Sequence, residues 1–309
     1  MNLSDLRVFV ATARLGSLQA AADEAHLTPS ALSKAIRRLE QDLGQPLFDR
    51  SAKALALNGA GELLRERAIG LLQMADETRA EFGRPDAAPH CRVAAPPLLQ
   101  WGHAGALADA LARATRRLGP AQAAARLTLR SMVEDEAFAA LARGDVDFAL
   151  VTSEALPGGG PAGGGLESVP LATMTMQLAC GRAHPLAHGL AAATRTRAVR
   201  TAAVLAHDFA CPPRSMLRGV DRGARSDGWR DDQLPRRIRF WVDDLQVLVS
   251  LVRSGRALAY LPGFALDDPQ LVRLRVTDCP YRCDEAARLV WRPGRADGWQ
   301  GRLVDAMRA

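Results

Sequence analysis

The chain is 309 residues long, 48% hydrophobic but only 5% aromatic, with 24% charged residues and a formal net charge of +6. That length allows more than one domain and a substantial core. No apolar run approaches the roughly 20 residues of a membrane span, and Asp5 and Arg7 interrupt the opening too early for a signal peptide, so a soluble, cytoplasmic protein without membrane contact is expected. Five scattered cysteines (Cys91, Cys180, Cys211, Cys279 and Cys283), an odd set, fit reduced thiols better than a disulfide framework. The positive charge carries little weight for nucleic-acid binding by itself, because residues 1–85 hold eleven cations and eleven anions. Local placement says more: Lys34, Arg37, Arg38, Arg50 and Lys53 cluster, and the chain's only two lysines are among them.

At the start of the chain Leu3, Leu6, Phe9, Val10 and Ala13 form an apolar stripe at helical spacing. Leu18, Ala21, Ala22 and Ala25 form a second, whose small alanines allow a close helix crossing, and the chain then turns at His26-Leu27. Thr28 is a good N-cap, Pro29 suits a first helical position, and Leu27 and Leu32 are spaced as a hydrophobic staple. The helix that follows has two faces. Leu32, Ala35, Ile36, Leu39 and Leu43 are assigned to the core. Ser30, Ser33, Lys34, Arg37 and Gln41 lie opposite, offering hydroxyls and an amide to base edges and cations to phosphates or guanine. An ordinary amphipathic helix with a solvated face is the bland alternative.

Downstream come Leu47-Phe48-Asp49-Arg50 and then Leu55-Ala56-Leu57-Asn58-Gly59-Ala60-Gly61, the first part of which suits a short wing strand. The run as a whole resembles the LysR-type transcriptional regulators. It carries that family's pattern at Leu6, Phe9, Gly16, Ser17, Ala20, Ala21, Ser30, Leu32, Ser33, Ile36, Leu39, Glu40, Leu43, Gly44, Leu47, Phe48 and Arg50. It departs where Asn58 replaces the usual Thr, an equally good cap, and where Lys53 stands for a frequent wing Arg, which keeps phosphate attraction but no bidentate contact. The resemblance implies a winged helix-turn-helix over residues 1–58 that binds double-stranded promoter DNA, with Ser30, Ser33, Lys34 and Arg37 in the major groove, Arg50 and Lys53 on phosphates, and Arg38 counted with them among the DNA-binding residues.

Asn58 is placed to cap a long helix running to about Phe82, before Gly83-Arg84-Pro85. Leu64, Ala68, Leu71, Ala75, Thr78 and Phe82 make a heptad-like seam, so residues 59–88 are assigned as a dimerising linker helix and hinge. In the resembled family this helix pairs antiparallel with a second copy. A dimer, and a tetramer through the C-terminal domains, are expected, on a roughly palindromic operator.

From about residue 89 strands and helices alternate: strand 91–95, helix 105–118, strand 127–129, helix 134–143, strand 146–152, strand 173–180, the turn His184-Pro185-Leu186-Ala187, strand 238–242, helix 244–254 and strand 257–261. This rhythm implies parallel sheets covered by helices, an α/β class. Runs at 141–150, 184–187 and 252–262 continue the family resemblance, which implies a two-lobed, periplasmic-binding-protein-like effector domain over 89–309. Lobe I is assigned to 89–168 plus 268–309 and lobe II to 169–267. The glycine-rich stretch 158–165 reads as a flexible insert.

Ligands in such folds sit beyond the carboxyl ends of the strands. Candidate effector residues are therefore Pro97, Leu98 and Gln100 after the first strand, Ser131 and Met132 after the second, Cys211 and Arg214, and Pro262 and Phe264. The first of these loops, Ala95-Pro96-Pro97-Leu98, lacks the hydroxyls with which family members hold small organic anions. The effector is then more apolar than usual, or held by the second lobe, or absent.

No cofactor is expected. Cys279 and Cys283 are only half a zinc site, and free thiols are the simpler reading, with a ligand-independent or thiol-redox-responsive regulator as the alternative. Cys180 lies four residues from His184, and Ser131 lies near Glu134 and Asp135, but neither has a recognised nucleophile setting, so no enzyme is expected. A purely architectural DNA binder would have no use for a cleft. Effector binding is expected to shift the lobes and the DNA bend, with RNA polymerase as a further partner.

Overall fold

The computed structural model describes residues 1–49, 55–81, 89–116, 125–156, 165–221, 227, 229–280, 282–293 and 298–308. Arg50 and Lys53, the end of the linker helix with Phe82, and most of the glycine-rich stretch lie outside them.

The first five elements are helices α1 (Leu3–Leu15), α2 (Leu18–Glu24) and α3 (Pro29–Leu43), and the two-residue strands β1 (Phe48–Asp49) and β2 (Ala56–Leu57), which pair antiparallel as a small wing. Each helix begins at a side-chain cap: Asn2 receives the Asp5 amide, Ser17 the Ala20 amide and Thr28 the Ala31 amide. Leu6, Phe9, Ala21, Ala22, Leu32, Ala35, Ile36 and Leu39 close a common core. Two expectations fail here. Leu27 is 43% exposed, so it does not pin the entry to α3 as a staple residue would, and His26 before it turns the chain with a φ of 52°. Leu43 is 39% exposed, because the last turn of α3 runs past the body of the domain before Gly44 ends it.

Helix α4 (Gly59–Glu81) starts where Asn58 accepts the Gly61 amide at 2.9 Å. Gly61 is required there: a Cβ would stand 2.1 Å from the Leu47 carbonyl oxygen. Leu64, Ala68 and Leu72 pack into the core of their own domain, and Arg7 of α1 binds Asp76. Ala68 is fully buried, so part of the expected seam belongs to the chain's own fold. The apolar residues left open lie on an adjacent face: Leu63 is 58%, Leu71 42% and Met74 65% exposed.

The C-terminal part contains β3 (His90–Ala95), α5 (Pro97–Thr115), β4 (Arg126–Ser131), α6 (Glu134–Arg143), β5 (Phe148–Thr152), β6 (Glu167–Gly181), β7 (Thr196–Val199) and α7 (Thr201–Leu205). It continues with β8 (Asp208–Cys211), β9 (Arg237–Trp241), α8 (Leu245–Arg253), β10 (Ala259–Pro262), β11 (Leu271–Val276), β12 (Asp284–Trp291) and α9 (Trp299–Arg308). Strands run in the order β4-β3-β5-β12-β6-β11-β7, with β10 also on β6, and β8 pairs with β9. β3, β4 and β5 are mutually parallel, as the alternating pattern predicts.

The 15-residue β6 serves both lobes: residues 167–175 pair with β12, and residues 176–181 pair with β10 and β11. β11 also pairs in parallel with β7, and its Val272 and Leu274 sit in the lobe II core. The lobe boundary expected at 268 therefore falls after β11, because the return crossing is the segment between β11 and β12. The helix expected from 105 starts eight residues earlier, at Pro97, since Pro at a first helical position begins a helix instead of blocking it.

His184 is 3% exposed, its Nδ1 accepts the Leu186 amide, and its ring lies 4.6 Å from that of His207. Burial, then the neighbouring His207 and His188, lower its pKa to about 4. The unfolded imidazole titrates at about 6.5, so between those values the unfolded chain binds a proton that the folded chain does not. The stability contributed is full above about pH 6.5 and is lost toward pH 4, with a slope of about 1.4 kcal/mol per unit at most. Urea unfolding of the wild type and of His184→Asn, which keeps a side-chain acceptor, should give curves that converge as the pH falls from 7 to 5. Parallel curves would refute the assignment.

Candidate nucleic-acid interface and inter-lobe cleft

Burial of one face of α3 fixes what the other presents. With Leu32, Ala35, Ile36 and Leu39 turned inward, Ser30, Lys34, Arg37 and Gln41 are exposed and Ser33 is half-buried at the edge. In the first turn of α3 Pro29 has no amide N–H, that of Ala31 is capped by Thr28 and that of Leu32 bonds the Thr28 carbonyl, which leaves the Ser30 amide as the donor of the helix N-terminus. Arg37 borders a shallow groove with Ser33, Gln41, Gln45 and Asn58, between α3 and the wing. Arg38 is placed differently. Its guanidinium bonds Asp5 through Nε at 3.2 Å and Nη2 at 2.6 Å, tying α3 to α1, and Asp5 is 4% exposed. That pair raises the Arg38 pKa, through the hydrogen bond first and the charge second.

The second site lies where β3, β4 and β5 end, beside the N-termini of α5 and α6. Of the residues expected there, Ser131 is exposed and Met132 is half-buried against the α6 side of the sheet. Pro97 is exposed at the start of α5, and Gln100 is turned back to donate to the Ala95 carbonyl at 2.8 Å. Leu98 is 3% exposed and belongs to the core of lobe I, a consequence of the early start of α5. Cys211 is buried in the lobe II core, and Arg214 points to solvent, 72% exposed, with Asp221 at 4.0 Å. Pro262 is buried at the end of β10, while Phe264 reaches the other lobe, its ring against Gly102 and edge-on to Trp101 at 5.4 Å.

Sequence reading missed the residues that join the lobes. The segment after β8 crosses to lobe I: Met216 and Leu217 pack against its core, the Leu217 carbonyl accepts the Glu134 amide at 3.0 Å, and Arg218 binds Glu154. Gly219 lies so near Val133 that a Cβ would come within 2.9 Å of its Cγ1. No local signal marks these residues, since their role exists only once the lobes are folded and facing each other.

The cysteines have no such setting. Cys91, Cys180 and Cys211 are buried, and burial pushes the thiols of Cys180 and Cys283 up to about 12, far from reactive thiolates. Among the described residues no group of His, Cys, Asp and Glu could hold a metal ion, and no helix is long and apolar enough to cross a membrane.

A family model described as bacterial regulatory helix-turn-helix protein, lysR family, matches residues 3–62, and one described as LysR substrate binding domain matches residues 87–307. Over 67 residues, 22% of each chain, the sequence is 52% identical to an uncharacterized HTH-type transcriptional regulator, y4mQ, of Sinorhizobium fredii. Over 63 residues, 20% of each chain, it is 50% identical to the RuBisCO operon transcriptional regulator of Acidithiobacillus ferrooxidans. The chain thus matches only about a fifth of the length of these relatives. Among solved structures, full-length OxyR of Pseudomonas aeruginosa is similar, with a TM-score of 0.61 and 20% identity over 100% of this chain and 95% of that one. So is full-length LysG of Corynebacterium glutamicum with bound effector Arg, with a TM-score of 0.56 and 22% identity over 100% and 97%.

Proposed function

Because the chain belongs to the LysR family of bacterial helix-turn-helix regulators, we propose that it is a sequence-specific DNA-binding transcriptional regulator whose output is set by a small molecule held between the two lobes. The observation that carries the first half is α3: one face is sealed in the core, and the other holds Ser30, Lys34 and Arg37 in the open, with Ser33 at its edge, behind a capped helix N-terminus. Hydroxyls and cations in that arrangement fit base edges and phosphates of a major groove. Arg50 and Lys53 join the interface as phosphate contacts from the wing, and Arg38 serves it by fixing α3 on α1.

The protein acts in the cytoplasm as a dimer through α4, and as a tetramer when its effector domains also associate. The dimer seam is the open stripe of Leu63, Leu71 and Met74, which offers a second copy the apolar surface that the domain itself leaves uncovered. Polymerase contact follows from binding at promoters. Burial of Cys180 and Cys283, which raises both thiols, argues against either as a redox trigger.

A footprint of the purified protein on DNA flanking its own gene tests this. Two spaced protected sites, with affinity falling as salt rises, are the expected result. Arg37→Ala should weaken operator binding by about 1–3 kcal/mol and relax preference at one base pair, if the guanidinium grips a guanine. Unchanged affinity and preference would remove Arg37 from the interface.

A further inference from the structure

Charge in the inter-lobe cleft is one-sided. Glu134, the first residue of α6, is 1% exposed, and its Oε1 accepts the Thr152 amide at 2.5 Å. Its other oxygen, Oε2, is buried without a hydrogen-bond partner and faces the Arg218 guanidinium, whose Nε is 3.8 Å away. The Thr152 hydroxyl, on the residue whose amide binds Glu134, is also buried without a hydrogen-bond partner. Glu154 binds the same guanidinium from the rim, and half-buried Glu285 lies close enough that its carboxyl pKa is raised by burial and then by Glu154. Glu134 and Glu154 thus share one cation, with Glu285 nearby, and that cation sits on a loop of the opposite lobe.

The end of β3 and the start of α6 offer an anion little. Pro96 and Pro97 remove two amides from the end of β3, and Ala95 has no side-chain donor. The Glu134 amide is taken by Leu217, and the first turn of α6 already carries Glu134, Asp135 and Glu136 at its positive end. A buried carboxylate oxygen with no donor is instead a place for N–H groups that carry positive charge.

Resting on the reading of this cleft as the effector site, we propose that the effector is a small organic cation, an amine or a guanidinium compound, whose charged head takes the seat between Glu134 and Glu154 now filled by Arg218. Glu134 Oε2 and Thr152 Oγ1 accept its N–H groups. Arg218 is the tethered stand-in of the unliganded chain. Its displacement frees the segment that joins Leu217 to Glu134 and so changes how the lobes meet.

Calorimetric titration of the full-length protein with agmatine and putrescine, against benzoate and succinate, tests this, with the Trp101 share of the fluorescence of the chain's five tryptophans, found by difference from Trp101→Phe, reporting on the cleft. The cations should bind, and Arg218→Ala, which empties the seat, should bind them about tenfold more tightly or better. Glu134→Gln should weaken binding about tenfold or more, and Glu154→Gln, at an exposed position that cannot unfold the lobe, should weaken it in the same direction. Binding of benzoate or succinate with a Trp101 response, and none of the cations, would overturn the charge class while leaving the cleft as the effector site. No cation binding by either the wild type or Arg218→Ala would overturn it too. Failure of the regulator reading would appear separately, as no operator protection by the same protein.

Discussion

Arg236→Met is expected to lower the stability of the effector domain by about 3–5 kcal/mol, enough to unfold lobe II at modest urea concentration. The Arg236 side chain is fully buried and reaches Asp227 at 3.0 Å and Asp231 at 2.6 Å. Its guanidinium carbon also lies 5.2 Å from the ring centre of Phe209, 5.7 Å from Trp229 and 5.9 Å from Tyr260. Methionine fills much of the volume but removes the charge that Asp227, 6% exposed, and Asp231 share. Burying carboxylates without that counter-charge is what destabilises, more than the loss of the ring contacts, each worth about 0.5–2 kcal/mol. The double variant Arg236→Met, Asp227→Asn should recover part of the loss, because one of the two charges has gone too. A urea midpoint within experimental error of wild type would show that the aromatic packing holds lobe II by itself.

Met74→Glu combined with Leu63→Glu should give a monomer by sedimentation and reduce operator affinity by about 10²–10⁴-fold, the gain that joining two recognition helices confers. Both positions are exposed, so the thermal unfolding of the helix-turn-helix domain should be nearly unchanged. Ala68→Glu provides the contrast. It places a carboxylate in a fully buried position of that domain, and unfolding should precede any loss of DNA binding. A dimer that survives Met74→Glu with Leu63→Glu would assign association to another surface.

These two faces of α4 explain where sequence reading succeeds and where it stops. A residue at every third or fourth position marks an apolar stripe, but α4 has two, about a quarter-turn apart, and spacing does not say which one the chain covers itself. Ala68 fits a heptad seam and is nevertheless core. The helix-turn-helix was legible because local chemistry marks it, with Thr28 capping α3 and Pro29 at its first position; the caps at Asn2 and Ser17 and the positive-φ helix ends at Gly16 and Gly44 act in the same local way but were not read. In the effector domain, the alternation located β3, α6 and β5, but Pro96-Pro97 looked like a break and hid the start of α5, which carried Leu98 from cleft to core. Of the cleft, the strand ends were readable and the contents were not. Glu134 reads as an ordinary acidic residue at a helix start, and nothing local to Arg218 says that it will face Glu134 across more than eighty residues of chain.

Strand β6 has a mechanical consequence. Thr175 is still paired to one lobe's strand, β12, and Met176 is already paired to the other's, β10. A slack tether would let two bodies take any angle; a hydrogen-bonded ribbon has a preferred twist set by backbone sterics. Rotating one lobe against the other must wind or unwind that ribbon, which then pushes back. The effector domain behaves as a torsion spring with a resting angle, and a ligand works against that restoring torque.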